Sequence, residues 1–186
     1  LPEERDRFDQ LLEQKHYLQS ARLGGQSLRY VAQVDGQWVA LITFSGAAPH
    51  TKAREHQIRW TPRQRARRLC LVVNNSRFLV LPERERYPNL ASRVLALCLK
   101  RLTSDWQEHW GHPVVLVESY VDESQYRGTC YRACGFAAVG LTDGLPVVPA
   151  TAKRVAMFVE AAGYPPDHVV ATLPPRKGKV TILAVG

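Results

Sequence analysis

The chain has 186 residues, 45% of them apolar, and carries a formal net charge of +8 from 25 Lys and Arg against 17 Asp and Glu. That length suits one domain with a core of its own, or one domain plus a small extension. No apolar run reaches the ~18–20 residues that a membrane-spanning helix needs, and the basic balance favours polyanionic partners over membranes. The first residues, LPEERDRFDQ, are charged and lack a signal-peptide pattern, and the absence of a starting Met suggests a piece of a longer chain. The four cysteines at 70, 98, 130 and 134 contain no CxxC pair. A structural zinc is therefore not expected; reduced thiols and a cytoplasmic location are, with Cys70 and Cys98 as small core residues.

Residues 3–21 predict a helix, with Phe8, Leu11, Leu12 and Leu18 at helical spacing and the glycines at 24 and 25 ending it. Residues 27–44 predict a hairpin closed by Asp35-Gly36. Between Lys52 and Arg68 stand seven Lys or Arg and a single acid, Glu55. Thr61 and Pro62 suit the cap and first position of a helix that runs to about Cys70 and carries an arginine cluster. Arg59, Arg63, Arg65, Arg67 and Arg68 are expected to contact phosphates, with Trp60 and Tyr87 stacking on bases; a solvated helix face is the plainer alternative.

Arg77–Leu81 predicts a buried strand, and Leu90–Trp110 an amphipathic helix stopped by Gly111 and Pro113. A strand over 114–121, a short helix ending at Gly135 and a strand over 136–142 follow, with strand–helix–strand units implying parallel pairing. The fold class expected is therefore mixed α/β (α+β). Parallel strands that spread apart would let the amides before the long helix face an anionic guest. From about 145 onward the pattern changes: a helix over 149–164, loops around 165–170 and 173–179, and a strand over 180–186. We take 1–144 as the core domain and 145–186 as a C-terminal extension.

Two stretches resemble the GCN5-related N-acetyltransferase (GNAT) superfamily over residues 77–142. In RYPNLA, Arg86, Asn89 and Ala91 sit where that superfamily has its phosphate loop, with Asn89 in place of the middle glycine and Leu90 beside it. Asn tolerates the positive φ such a loop requires, but Pro88 removes one N–H donor, and a plain N-cap at Asn89 accounts for the same residues. In CYRACGF, Tyr131 precedes Gly135 and Phe136 as in the superfamily's Y-x-x-x-G-F segment. The resemblance implies acetyl-CoA as cofactor, Tyr131 as acid toward the thiolate and Glu118 as base. The alternatives are packing for Tyr131 and a buried ion pair for Glu118 with an arginine such as Arg77.

A longer resemblance covers residues 10–142. HYL, VNNSRFLVL, NLAS, DW, VESYVD, GTCYRA and VGLT are similar to the DruA family of the Druantia phage-defence systems, also found in reading frames described as transposases. The family typically reads ETFVD and GTCYRAANW where this chain has ESYVD and GTCYRACGF. This implies DNA as partner, with Asn75 and Arg77 added to the arginine cluster as contacts. Three chemistries stay open: Glu118 and Asp122 holding a divalent metal, acyl transfer from CoA, and Cys130 as a nucleophile flanked by Arg127 and Arg132. A non-catalytic nucleic-acid-binding module is a further reading. The oligomeric state is not expressed in the sequence.

Overall fold

The computed structural model describes residues 2–81, 86–122, 124–142, 145–147, 169–173 and 178–181. In chain order these form α1 (Pro2–Lys15), β1 (Ser27–Val34), β2 (Gln37–Gly46), α2 (Lys52–Ile58), α3 (Pro62–Arg68), a 3-10 turn (Leu69–Leu71), β3 (Val72–Val80), α4 (Leu90–Trp110), β4 (Leu116–Ser119), α5 (Thr129–Ala133), β5 (Gly140–Thr142), β6 (Leu145–Val147), β7 (Val169–Leu173) and β8 (Gly178–Thr181). The main sheet has the order β1-β2-β3-β4, antiparallel except for the parallel β3–β4 pair. This is the expected mixed α+β class.

The hairpin forms at Asp35-Gly36 because both residues adopt positive φ, 50° and 77°, as a two-residue turn between twisted strands requires. α4 is the crossover between β3 and β4. Its apolar stripe of Leu90, Val94, Leu95, Cys98, Leu99, Leu102 and Trp106 is buried on one face of the sheet. Each such side chain contributes roughly 1.5–3 kcal/mol when fully buried. Gly111 closes the helix in the left-handed region at φ 79°, its N–H donating to Gln107 O. Strand alternation puts Leu41 on the opposite face from Ala40 and Ile42, and there α1 covers it with Phe8 and Leu12.

Two irregularities position the functional residues. Along β2–β3 the register jumps from Thr43↔Arg77 to Phe44↔Asn75, which leaves Ser76 as the extra residue of a bulge. The parallel β3–β4 ladder ends at the same level, at Asn75↔Ser119. Beyond it, Arg77–Val80 pair with β2.

Several expectations are corrected. α1 stops at Lys15, not 21. The His16 ring accepts the Leu18 N–H at 3.2 Å and Gln19 turns to φ 45°, so a local side-chain bond ends the helix before the glycines do. β3 starts at Val72, five residues earlier than its apolar run suggested, because polar Asn74, Asn75 and Ser76 are part of the ladder and bulge. The short α2 was not anticipated; its preceding Thr51 makes no cap bond, and the helix is secured by a tertiary contact described below. Cys70 is exposed rather than in the core. The strand expected over 136–142 is confined to Gly140–Thr142 and pairs antiparallel with β6 in a separate two-stranded sheet. Phe136 instead packs edge-on against Tyr131 at 5.4 Å. In the tail, β7 and β8 form an antiparallel pair that takes in Val169, Val170, Leu173, Gly178 and Lys179, read above as loop. The helix expected over 149–164 lies outside the described residues.

Candidate functional site

Tyr131 of α5 is buried, and its hydroxyl donates to Asn75 Oδ1. The Asn75 amide in turn donates to Thr43 O at 2.9 Å and Arg77 O at 3.2 Å, the two carbonyls flanking the bulge. The Thr43 and Ser76 hydroxyls pair at 3.0 Å across it. Tyr131 thus seats itself where β3 and β4 part, and a chain of bonds satisfies the polar groups the bulge exposes. Burial pushes its phenol well above the usual range, although the nearby Ser119 hydroxyl acts in the opposite sense. The arrangement corrects Asn75 as a nucleic-acid contact: it is buried and spends its amide on the bulge.

Glu118 precedes Ser119 by one residue and therefore faces the other side of the sheet. There its Oε1 accepts from Arg54 Nη1 at 2.7 Å and from the Tyr120 hydroxyl at 3.2 Å, and Thr51 Oγ1 lies 2.9 Å from that hydroxyl. Arg54 also donates to Ala48 O at 2.6 Å. Both charged side chains are almost fully buried, at 2% and 1% exposure. Glu118 Oε2 is buried with no hydrogen-bond partner among the described residues. Burial raises the Glu118 carboxyl above its ordinary value against the pull of Arg54. The ion-pair partner is therefore Arg54 and not Arg77. Glu118 and Tyr131 face opposite sides of the sheet and do not form the acid–base pair expected of them.

Asp122 stands apart from Glu118 in its bonding. Its carboxylate accepts from Ser124 Oγ at 2.6 Å, Ser124 N at 3.0 Å and Gln125 Nε2 at 2.7 Å. The Ser124 hydroxyl bond chiefly holds it below the usual carboxylate range. Among the described residues no group of three or more His, Cys, Asp or Glu side chains could hold a metal ion. Cys130 is half-buried and burial pushes its thiol up to about 11. That is the opposite of the lowered value an activated nucleophile needs.

At the start of α4, Asn89 has φ 58° and ψ 21° and makes no side-chain cap bond, so the left-handed turn rather than a capping bond defines this end. The Leu90 N–H is taken by Tyr87 O at 3.2 Å, which corrects its assignment as a phosphate donor. Ala91 lies in the first helical turn, and Arg86 places its guanidinium over the Tyr87 ring at 5.5 Å. These residues fit the phosphates of a CoA only in part: the turn has the right hand, but one of three donors is spent. Tyr87 packs against the main core and is not a free stacking ring.

The arginine cluster divides by burial. α3 has a capping box between Thr61 and Gln64 and buries none of its residues. Arg63 and Arg67, one helical turn apart, are exposed, as is Arg59 ahead of them at the αL end of α2. Arg65 turns back to Glu55 at 2.9 Å. Arg68 is half-buried with Nη1 covered, and Trp60 is half-buried with its indole nitrogen covered. Arg77 is a fastener: it donates to Ser20 O at 2.9 Å, Ser76 O at 2.7 Å and Arg22 O at 3.2 Å, tying the segment after α1 to β3.

Sequence reasoning missed Arg54, whose partner lies 64 residues away, and missed the grouping of His16, Tyr17 and Tyr126. The His16 ring lies 4.6 Å from that of Tyr17, and Tyr17 5.6 Å from Tyr126. The HYL stretch was the available signal for the first two.

The molecule is thus a mixed α+β domain whose parallel strands part at a bulge sealed by Tyr131, with the basic helix α3 at its surface. The family described as Druantia protein DruA matches residues 2–158, and the chain belongs to it. No curated protein matches. Among solved structures it is similar to aminoglycoside acetyltransferase AAC(6')-Ib with coenzyme A and kanamycin, at 15% identity and TM-score 0.48, with 70% of this chain and 69% of that chain covered. AAC(6')-Ib with ribostamycin and coenzyme A is 16% identical at TM-score 0.47, and this chain spans 66% of its length. The CoA-dependent acyl-homoserine lactone synthase BjaI with MTA is 14% identical at TM-score 0.43, covering 97% of this chain and 87% of that one. Likeness at this level assigns no activity to the chain. No helix among the described residues is long and apolar enough to cross a membrane.

Proposed function

We infer that the chain is a DNA-binding protein that acts in phage defence or on mobile DNA, with Arg59, Arg63 and Arg67 as its phosphate contacts. The observation that carries this reading is α3: a capped helix that buries none of its residues while exposing Arg63 and Arg67. A helix that contributes nothing to the core is held for its outer surface, and three exposed guanidiniums with a net charge of +8 suit a polyanion. Family membership supports the setting of phage defence. Acyl transfer is the weaker reading, because Glu118 and Tyr131 would have to act on one substrate from opposite faces of the sheet.

The test is fluorescence anisotropy with a labelled duplex at low salt. The parent binds, and the triple variant Arg59→Ala, Arg63→Ala, Arg67→Ala loses most of that affinity without change in fold. Equal binding by parent and triple variant would remove these arginines as the contact surface.

A further inference from the structure

Three rings climb from the core to the surface. His16 is 3% exposed, Tyr17 42% and Tyr126 50%. His16 and Tyr17 are inclined by 32° and Tyr17 and Tyr126 by 56°. The described residues include four exposed large apolar side chains, Tyr17, Leu18, Leu97 and Tyr126, and three of these belong to the two segments that meet here. Neither segment is part of a helix or strand at this point, yet both are fastened. On one side, Arg77 holds Ser20 O and Arg22 O, and the His16 ring holds the Leu18 N–H. On the other, the Tyr126 and Gln125 N–H groups donate to Asp122 O at 2.8 and 3.1 Å, while the Asp122 carboxylate is braced by Ser124 and Gln125. Exposed aromatics so anchored are pre-organised, and the ring run has no further member beyond Tyr126 among the described residues.

We propose that Tyr17 and Tyr126 form a stacking platform for an unpaired nucleobase, so that the chain engages single-stranded DNA here. This rests on the DNA-binding reading above and names the substrate class. A base ring extends the existing run, and the two tyrosines offer apolar faces at low conformational cost. The charges of Arg77 and, more weakly, Asp122 both lie within electrostatic reach of Tyr17, so a guanidinium stands beside the rings as well as a carboxylate. The His16 ring at the base of the run is held neutral at physiological pH, its value lowered by burial to about 4, so it serves as an uncharged support.

The experiment compares binding of a fluorescein-labelled oligothymidylate of about 20 nucleotides with a duplex of equal length. Tyr17→Ala and Tyr126→Ala each weaken single-strand binding by about five- to a hundred-fold and leave duplex binding within about two-fold. Tyr17→Phe and Tyr126→Phe keep the ring and bind like the parent, as does Leu97→Ala, whose exposed side chain lies on α4. Urea midpoints matching the parent confirm the fold of each variant. Unchanged single-strand binding in the alanine variants overturns the platform while leaving the arginine reading intact. Phenylalanine variants as weak as the alanine ones also overturn it, since stacking does not need the hydroxyl. A parent dimer in sedimentation that the alanine variants dissolve would assign the rings to a second copy instead. No DNA binding by the parent at all removes both readings.

Discussion

Replacing Arg54 by Met breaks the ion pair to Glu118 that holds α2 to the sheet. Both partners are almost fully buried at 2.7 Å, so solvent cannot replace what is lost. Glu118 Oε1 keeps only the Tyr120 hydroxyl at 3.2 Å, Oε2 has no partner among the described residues, and Ala48 O loses a donor at 2.6 Å. Removing one member of a buried pair costs about 3–5 kcal/mol because the other charge is left behind. With a urea slope of ~2 kcal/mol/M, the midpoint falls by about 1.5–2.5 M at pH 7. The deficit is pH-dependent with a definite sign. The folded Glu118 pKa is already raised by burial and rises further without Arg54, so the folded form holds its proton more tightly than the unfolded chain. The variant's loss is therefore greatest above the folded pKa and shrinks as pH falls through it and Glu118 becomes neutral. Adding Glu118→Leu removes the stranded charge and recovers most of the midpoint at pH 7. A midpoint for Arg54→Met within about 0.25 M of the parent, equivalent to ~0.5 kcal/mol, would refute the reasoning, since surface substitutions behave that way.

Two further predictions concern Cys130 and His16. With the Cys130 thiol pushed up to about 11, only about one molecule in a thousand carries the thiolate at pH 8. Iodoacetamide followed by peptide mass mapping is expected to label exposed Cys70 first and Cys130 slowly, faster as pH rises; equal rates at pH 8 would contradict the buried placement. His16 has a folded value near 4 against 6.5 ordinarily, so the unfolded chain takes up a proton first. Its contribution is complete above about pH 6.5 and is lost as pH falls toward 4, and His16→Gln flattens the urea midpoint across that window. An unchanged pH profile in the variant would place His16 in solvent.

The parts of this fold that were legible in the sequence are those set by local chemistry. The Leu90–Trp110 helix was read to the residue because its apolar period, the glycine after it and the asparagine before it all act within a turn. The hairpin at Asp35-Gly36 was legible for the same reason. What stayed hidden depends on which face a side chain takes. Glu118 and Tyr131 both belong to motifs near the end of β4, but a single step along the strand sends Glu118 to α2 while Tyr131 joins Asn75 on the side of α4. No spacing in the chain announces that Arg54 is the partner of Glu118, because the Thr51 side chain makes no cap bond to α2 and the helix is fastened by that long-range contact. The arginine cluster was legible as a cluster and not in its division: Arg65 finds Glu55, and Arg77 finds backbone carbonyls after α1. The conformation of Asn89 followed from its side chain's tolerance of positive φ, but the use of the Leu90 amide by Tyr87 did not.

The most direct test of the account is the salt dependence of duplex binding by the parent and by the Arg59, Arg63, Arg67 triple-alanine variant. Each phosphate contact contributes about −0.9 to the slope of log K against log salt on duplex DNA, so the variant's slope is shallower by about 2.7. A parent slope near zero, or identical steep slopes for the two proteins, would contradict it.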